Sequence, residues 1–333
     1  MSTITTSPPR AAEPLPRGEI ATDHADGKAL LIGAAVLAVL ALAPLAIYPV
    51  FLMKALCFAL FAAAFNLLLG YVGLLSFGHA VFFGGAAYIT AHTAKVWGLT
   101  PELAILLGVA FAAALGLLIG ALAIRRQGIY FAMVTLSLGQ LVYFFFLQAP
   151  FTHGEDGIQS VPRGDLFGLI SLEPTMNLYY FVLAVFALGM AFLWRVVHSP
   201  FGAILTAVRE NEDRATSLGY SVARYKLAAF VISAAVAGLA GATKVFVFQL
   251  ATLTDVGWQM SGEVILMTLL GGLGTFAGPA VGGAVILALQ NYLAGSAVPI
   301  TVVIGTIFVA CVLLFRRGVV GEIIHHLGRR AGK

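Results

Sequence analysis

Six polar side chains, His79, Gln140, Lys244, Glu263, Gln290 and Asn291, lie inside or at the edge of long apolar runs. Each can exchange a proton, hold an ion or touch a charged solute, and each is costly when turned to hydrocarbon, so they are expected to face protein or water. Lys244 and Glu263 fall at similar depth in consecutive runs, which predicts that they pair. The plainer readings are a snorkelling lysine and an interfacial acid.

Other groupings offer less chemistry. Thr152-His153-Gly154-Glu155-Asp156-Gly157 sets a histidine beside two acids, but adjacent ligands on one turn do not close a metal shell, so it reads as a polar turn and no metal is expected. His325-His326 in a basic tail reads as a solvated pair, and Cys57 and Cys311, both in apolar runs, as packing residues. The chain has no G-x-x-x-x-G-K-[ST] loop to cradle nucleotide phosphates. It also has no clustered nucleophile, metal set or acid–base pair, which leaves an integral membrane enzyme without support.

The elements holding these residues follow from composition. Hydrophobic residues make up 60% and charged residues 10%, with a mean hydropathy of +0.97. That is more apolar surface than a soluble core of this length hides. A spanning helix needs about 20 apolar residues, and such runs occur near 29–48, 50–70, 79–97, 102–124, 130–150, 177–197, 226–250, 260–274, 279–296 and 298–315. The short eighth and ninth runs also fit one re-entrant hairpin. The expected fold is therefore an all-α integral membrane protein, a polytopic bundle of about 8–10 spans.

Residues 1–28, rich in Pro and mixed charge, read as a disordered tail, and the first apolar run as a retained helix rather than a cleaved signal. Residues 29–318 form the membrane domain and 319–333 a second tail. Basic residues collect at Arg125-Arg126, between Arg195 and Lys226, and at Arg316-Arg317, Arg329-Arg330 and Lys333, which predicts that these segments and both termini are cytoplasmic. The acidic connection from Phe151 to Met176 is expected outside. The net charge of +4 is read as topology signal and not as a nucleic-acid surface.

Two stretches, LLGYVGLLSFGHAVFFGGAA from Leu68 and LLGGLGTFAGPAVGGA from Leu269, share an order of glycines. On that orientation each turns near the cytoplasmic side. Glycine at this density permits close helix contact or broken helices, and paired breaks point to a transport path. Candidate path residues are Gly70, Gly73, Ser76, Gly78, His79, Lys244, Glu263, Gly271, Gly272 and Gly274; helix packing alone is the other reading.

Between about 198 and 225, Ser199 can cap a helix, Pro200 suits its first turn and Gly219 its end. Phe201, Ile204, Leu205, Val208, Ala215 and Leu218 recur at helical spacing opposite Arg209, Glu210, Asn211, Glu212 and Asp213. This predicts an amphipathic helix, able to bend, along the inner face. It reads either as a surface anchor or as a lever docking a motor domain.

Four stretches resemble the permeases of branched-chain amino acid ABC importers, and within them the longer of two homologous permeases: NLLLGYVGLLSFGHA from Asn66, QGIYFAMVTLSLGQ from Gln127, Ser199 to Gly241, and GGLGTFAGP from Gly271. The resemblance implies an inner-membrane heterodimer with a second permease, two cytoplasmic ATP-binding subunits that hold ATP and Mg, and a periplasmic binding protein. This chain itself would bind no cofactor. It further implies a coupling helix at which the ATPases dock, matched here by Pro200, Phe201, Gly202, Arg209, Glu210, Glu212, Ala215, Leu218 and Gly219. The family's Glu-Ala-Ala, three residues, Gly signature is represented by Asp213-Arg214-Ala215 and Gly219, departing at the first two positions. Related systems handle urea, short amides or aromatic acids. An ion-coupled secondary transporter is the competing function, disfavoured because Glu263 is the sole carboxylate well inside a predicted span.

Overall fold

The computed structural model describes residues 23–293 together with 302, 303, 305, 306 and 309, and side chains from 33 onward. The stretch 1–22, most of the tenth apolar run, Cys311, His325-His326 and the 319–333 tail lie outside the described residues.

Helix α1 (Asp23–Leu42) begins inside the stretch read as tail, and through Leu40 it belongs to a unit of its own. From Ala41 the second unit carries the helices α2 (Pro49–Asn66), α3 (Ala80–Lys95), α4 (Pro101–Ala123), α5 (Gly128–Gln148), α6 (Thr175–Val197), α7 (Pro200–Glu210), α8 (Glu212–Ser217), α9 (Val222–Phe248), α10 (Trp258–Gly271) and α11 (Gly278–Leu293). A π-helical turn, Leu67–Val72, extends α2. Among the described residues, five helical stretches are long and apolar enough to cross a membrane: Pro49–Val72, Pro101–Ala123, Gly128–Gln148, Thr175–Val197 and Val222–Phe248. In the second unit, the apolar-run helices α3, α10 and α11 have 16, 14 and 16 residues, shorter than the roughly 20 a full crossing takes.

Small residues on α9 decide the packing. Ala234 meets Gly116 of α4, Gly238 meets Ala112 of α4, and Gly241 lies against the carbonyl of Phe83 on α3. With no side chain between them the backbones approach closely, the mode by which helices associate where no hydrophobic force separates apolar side chains from lipid. Phe82, Phe83 and Phe230 fill the adjoining space and are fully buried.

The polar connection between α5 and α6 is not bare loop. It forms strands β1 (Ile158–Gln159), β2 (Asp165–Leu166) and β3 (Ile170–Ser171), with β1 paired antiparallel to β4 (Leu250–Ala251) beyond α9 and β2 paired to β3. Arg163 donates to the carbonyls of Phe246 at 3.2 Å and Glu173 at 3.1 Å, pinning the connection to the end of α9. His153 occupies the left-handed region at φ 60° within a one-turn break, beside exposed Glu155 and Asp156.

A Cβ at position 241 would overlap backbone, which no rotamer relieves. Gly241→Leu should cost about 3 kcal/mol or more and abolish monodisperse protein in detergent. Gly262→Ala, where nothing lies within 4 Å, should leave the melting temperature unchanged or slightly raised. Size-exclusion thermal melts separate the two outcomes.

Candidate functional site

The two glycine-rich stretches each break a helix, and the breaks meet. In the first, the π turn ends where Gly73 takes φ +80°, a left-handed conformation open to glycine at little cost. In the second, α10 ends at Gly271 and the chain turns through Gly274 at φ +73° before α11. Asn66, 2% exposed at the end of α2, reads both faces of the second turn. Its Nδ2 donates to the Thr275 carbonyl at 3.0 Å, and its Oδ1 accepts from the Gly274 amide at 3.2 Å. Broken helices leave backbone groups unpaired, and at membrane depth such groups must find protein partners. Asn66 supplies two of them.

The α6–α7 corner lies against the same turns. The Arg209 guanidinium on α7 donates through Nη1 to the carbonyl of Gly70. Its stem lies under Gly73, where an added Cβ would stand 3.1 Å from Cγ. Trp194 near the end of α6 packs edge-on against Phe276 of the second turn, centroids 5.0 Å apart.

The amphipathic segment is two helices rather than one. Asn211 is extended (φ −157°, ψ 102°) and its Oδ1 accepts from Arg214 N at 2.9 Å, capping α8. Ser199 stands at the start of α7, but its hydroxyl donates to Val196 O at 2.7 Å instead of capping. A small core of Val208, Ala215 and Val222, flanked by Ile204, ties α7, α8 and the start of α9 together. Glu212 pairs with Lys226 of α9 at 2.6 Å.

This sorts the residues expected on a docking face. Pro200, Arg209, Glu210, Leu218 and Gly219 are exposed, Leu218 at 70%. Gly202 is buried against the carbonyls of Val196 and Val197, and Ala215 lies in the small core. Phe201 is partly covered beside Tyr225. The head groups of Arg209 and Glu212 are engaged within the chain. Leu218 departs from the expected apolar face because α8 ends at Ser217 and the chain turns away at Gly219, φ +89°.

The expected path residues are not gathered at one place. His79 is fully buried among Phe61, Phe65, Phe82 and Phe230. The Ser233 hydroxyl donates to Ala64 O at 2.6 Å, so at 3.1 Å it accepts from His79 Nε2, which therefore carries the ring proton. His79 thus links the start of α3 to α9. Gly78 abuts Gly139 and the Thr135 carbonyl of α5, while Gly271, Gly278 and Gly282 let α10 and α11 touch by backbone. Gly272, at φ 118°, turns the chain out of α10. Ser76 is fully buried. The neighbouring Ser261 accepts from Ala80 N at 2.9 Å, satisfying an open amide at the start of α3.

Lys244 does not pair with Glu263. Its ammonium is bound to Asp255 Oδ1, and Thr252 donates to the other Asp255 oxygen at 3.0 Å. The short segment after α9 folds back and presents Asp255 to Lys244 before α10 begins. The rings of Phe58, Phe83 and Phe248 surround the ammonium at 5.5–5.8 Å. Glu263 instead accepts from Gln290 of α11 at 3.4 Å. Gln140 is half-buried on α5, and Asn291 is exposed near the end of α11.

Residues 47–315 match the branched-chain amino acid transport system permease component family. The chain belongs to this family. Over 233 residues the chain is 31% identical to the high-affinity branched-chain amino acid transport system permease protein LivM of Escherichia coli, covering 63% of this chain and 55% of that one, and equally to LivM of Salmonella typhimurium. It is 26% identical over 216 residues to the probable branched-chain amino acid transport permease protein LivM of Methanocaldococcus jannaschii, 60% of each chain. The chain thus spans between 55% and 60% of the length of these relatives. No solved structure matches it. The matched region runs from the start of α2 past the end of α11, so both glycine-rich turns and α7–α8 lie inside it.

Sequence reasoning did not single out Asn66, Asp255 or Arg209's inward bond. Asn66 had a signal, a lone amide inside an apolar run; Asp255 had none, since it lies between runs.

The Lys244–Asp255 pair is 13% and 4% exposed, so breaking it from one side strands a buried charge at about 3–5 kcal/mol. Lys244→Met and Asp255→Asn should each lower the melting temperature in detergent more than the double variant does. Glu263→Gln should not restore stability to Lys244→Met; recovery on combining them would instead indicate a Lys244–Glu263 pair.

Proposed function

We propose that this chain is the permease subunit of an ATP-driven importer in the bacterial inner membrane, forming with a second, homologous permease the path for leucine, isoleucine, valine or closely related solutes. The observation that carries the reading is the family match over 47–315, which takes in every helix from α2 to α11. Relatives of the same family bear names that specify branched-chain amino acid transport.

In this reading ATP and Mg are bound by two partner ATPases, consistent with a sequence that has no phosphate-cradling loop. They dock on the exposed side of α7–α8, where Pro200, Glu210, Leu218 and Gly219 lie outward. The paired helices are suited to receive them. Their inward side is fixed by Val208, Ala215 and the Glu212–Lys226 bridge, so force on the outward side moves α9 rather than bending a loose loop. A periplasmic binding protein delivers the solute on the opposite side, where the β1–β4 and β2–β3 ribbons form a folded surface. The basic segments, including α7–α8, and both termini then lie in the cytoplasm.

The test is ATP-dependent uptake of radiolabelled leucine by proteoliposomes holding the purified complex, with the binding protein added outside. Uptake should require ATP and the binding protein. Leu218→Asp combined with Glu210→Arg should leave the permeases folded but release the ATPases on purification, cutting uptake by about tenfold or more, as removal of an apolar anchor from an interface does. Uptake driven by an ion gradient without ATP would replace this reading with a secondary transporter.

A further inference from the structure

Three contacts converge on the glycine-rich turns from two directions. Asn66 fastens the first break to the second through Gly274 and Thr275. Arg209 fastens α7 to the first break at Gly70, and its Nη1 lies close enough to the second that a Cβ on Gly274 would stand 3.5 Å away. Trp194, one turn before α7, meets the second break at Phe276. Arg209 and Asn66 are 143 positions apart in sequence, yet both act where the backbone at Gly70 approaches that at Gly274.

We propose that Arg209 is a positioning residue that clamps α7 to both glycine-rich turns, so that a displacement of α7 moves the two broken helix pairs, α2–α3 and α10–α11, as one body. The inference rests on the permease reading and deepens it by naming the connection from docking face to broken helices. The geometry is specific. Gly70 sits at the π turn, where the helical ladder is irregular and a carbonyl is open to an outside donor. Gly73 and Gly274 have no side chains, which lets a guanidinium enter between two backbones. Arginine suits the place because its fixed fork keeps several donors in one plane, whereas a lysine offers a single compact charge. Asn66 keeps the turns from separating when Arg209 pulls on one. Backbone carried this way transmits motion by discrete hydrogen bonds between rigid elements, the physical form a coupling claim requires.

The experiment uses the complete reconstituted complex and two readouts. The first is leucine uptake per ATP hydrolysed. Arg209→Met should co-purify with its ATPases and hydrolyse ATP, while uptake per ATP falls about tenfold, inside the range usual for a lost coupling. Asn66→Asp, which keeps the acceptor for Gly274 and loses the donor to Thr275, should lower the same ratio. Arg209→Lys should retain more of it than Arg209→Met, and Arg224→Gln, exposed on α9, should not change it. The second readout is hydrogen–deuterium exchange: in Arg209→Met the amides of 67–79 and of 272–277 should lose protection together, with 158–171 unchanged.

An unchanged uptake-to-ATP ratio in Arg209→Met, or loosening of one turn without the other, overturns the proposal. Release of the ATPases by Arg209→Met also overturns it, since Arg209 would then be a docking contact. If the wild-type complex shows no ATP-driven uptake, the importer reading has failed, and the exchange measurement still decides whether the clamp exists.

Discussion

A buried primary amide at the end of α2 accepts from one backbone group and donates to the next across the gap between two interrupted helices. The arrangement answers the strictest demand a membrane places on a chain, that every backbone polar group find a partner inside the protein. A helix meets this demand by itself; a broken helix does not. Once the helical ladder ends after Val72 and after Gly271, something must satisfy the open carbonyls and amides. In this chain the breaks are set against each other, with Asn66 between them and Arg209 closing one side. The shortness of α3, α10 and α11 follows from the same choice, because each begins or ends at a break.

Around that joint the remaining architecture is a matter of backbone distance. Glycine and alanine on α9 bring α3 and α4 to contact separations that side chains would forbid, and the phenylalanines beside them fill what is left. Polar side chains inside this packed region serve packing too. His79 and Ser233 pass a hydrogen bond to the Ala64 carbonyl, and Ser261 caps α3. Lys244 is held by Asp255 within a ring of aromatics. Buried polarity of this kind fixes helix register, since a polar group left without its partner at such depth is costly.

The α7–α8 pair belongs to a different regime. It is amphipathic, it is broken by a capping asparagine, and it owes its stiffness to a small core and one ion pair rather than to length. One side is committed to α9 and to the glycine turns, and the other is free. A segment rigid on one side and available on the other is the form expected of an element that receives force.

Much of this was legible in the chain. Apolar runs gave α2 to α6 and α9 to α11 within a few residues, because lipid demands long stretches of apolar composition. Gly-rich breaks, the ends of the amphipathic segment and the family resemblance were likewise local patterns. What sequence could not give was partnership. Lys244 chose Asp255 over Glu263 because a short segment folds back, a matter of chain path and not of depth. Asn66 acquired its meaning from Gly274 and Thr275, more than 200 residues away, and Arg209, exposed on α7, also donates to the Gly70 carbonyl. Local periodicity and solvent cost are written in each segment by itself, and so the sequence located the apolar helices and where they break, while α3, α10 and α11 came out shorter than a full crossing takes. Which polar group meets which depends on how distant helices cross, and that was decided by the tertiary packing of backbone against backbone.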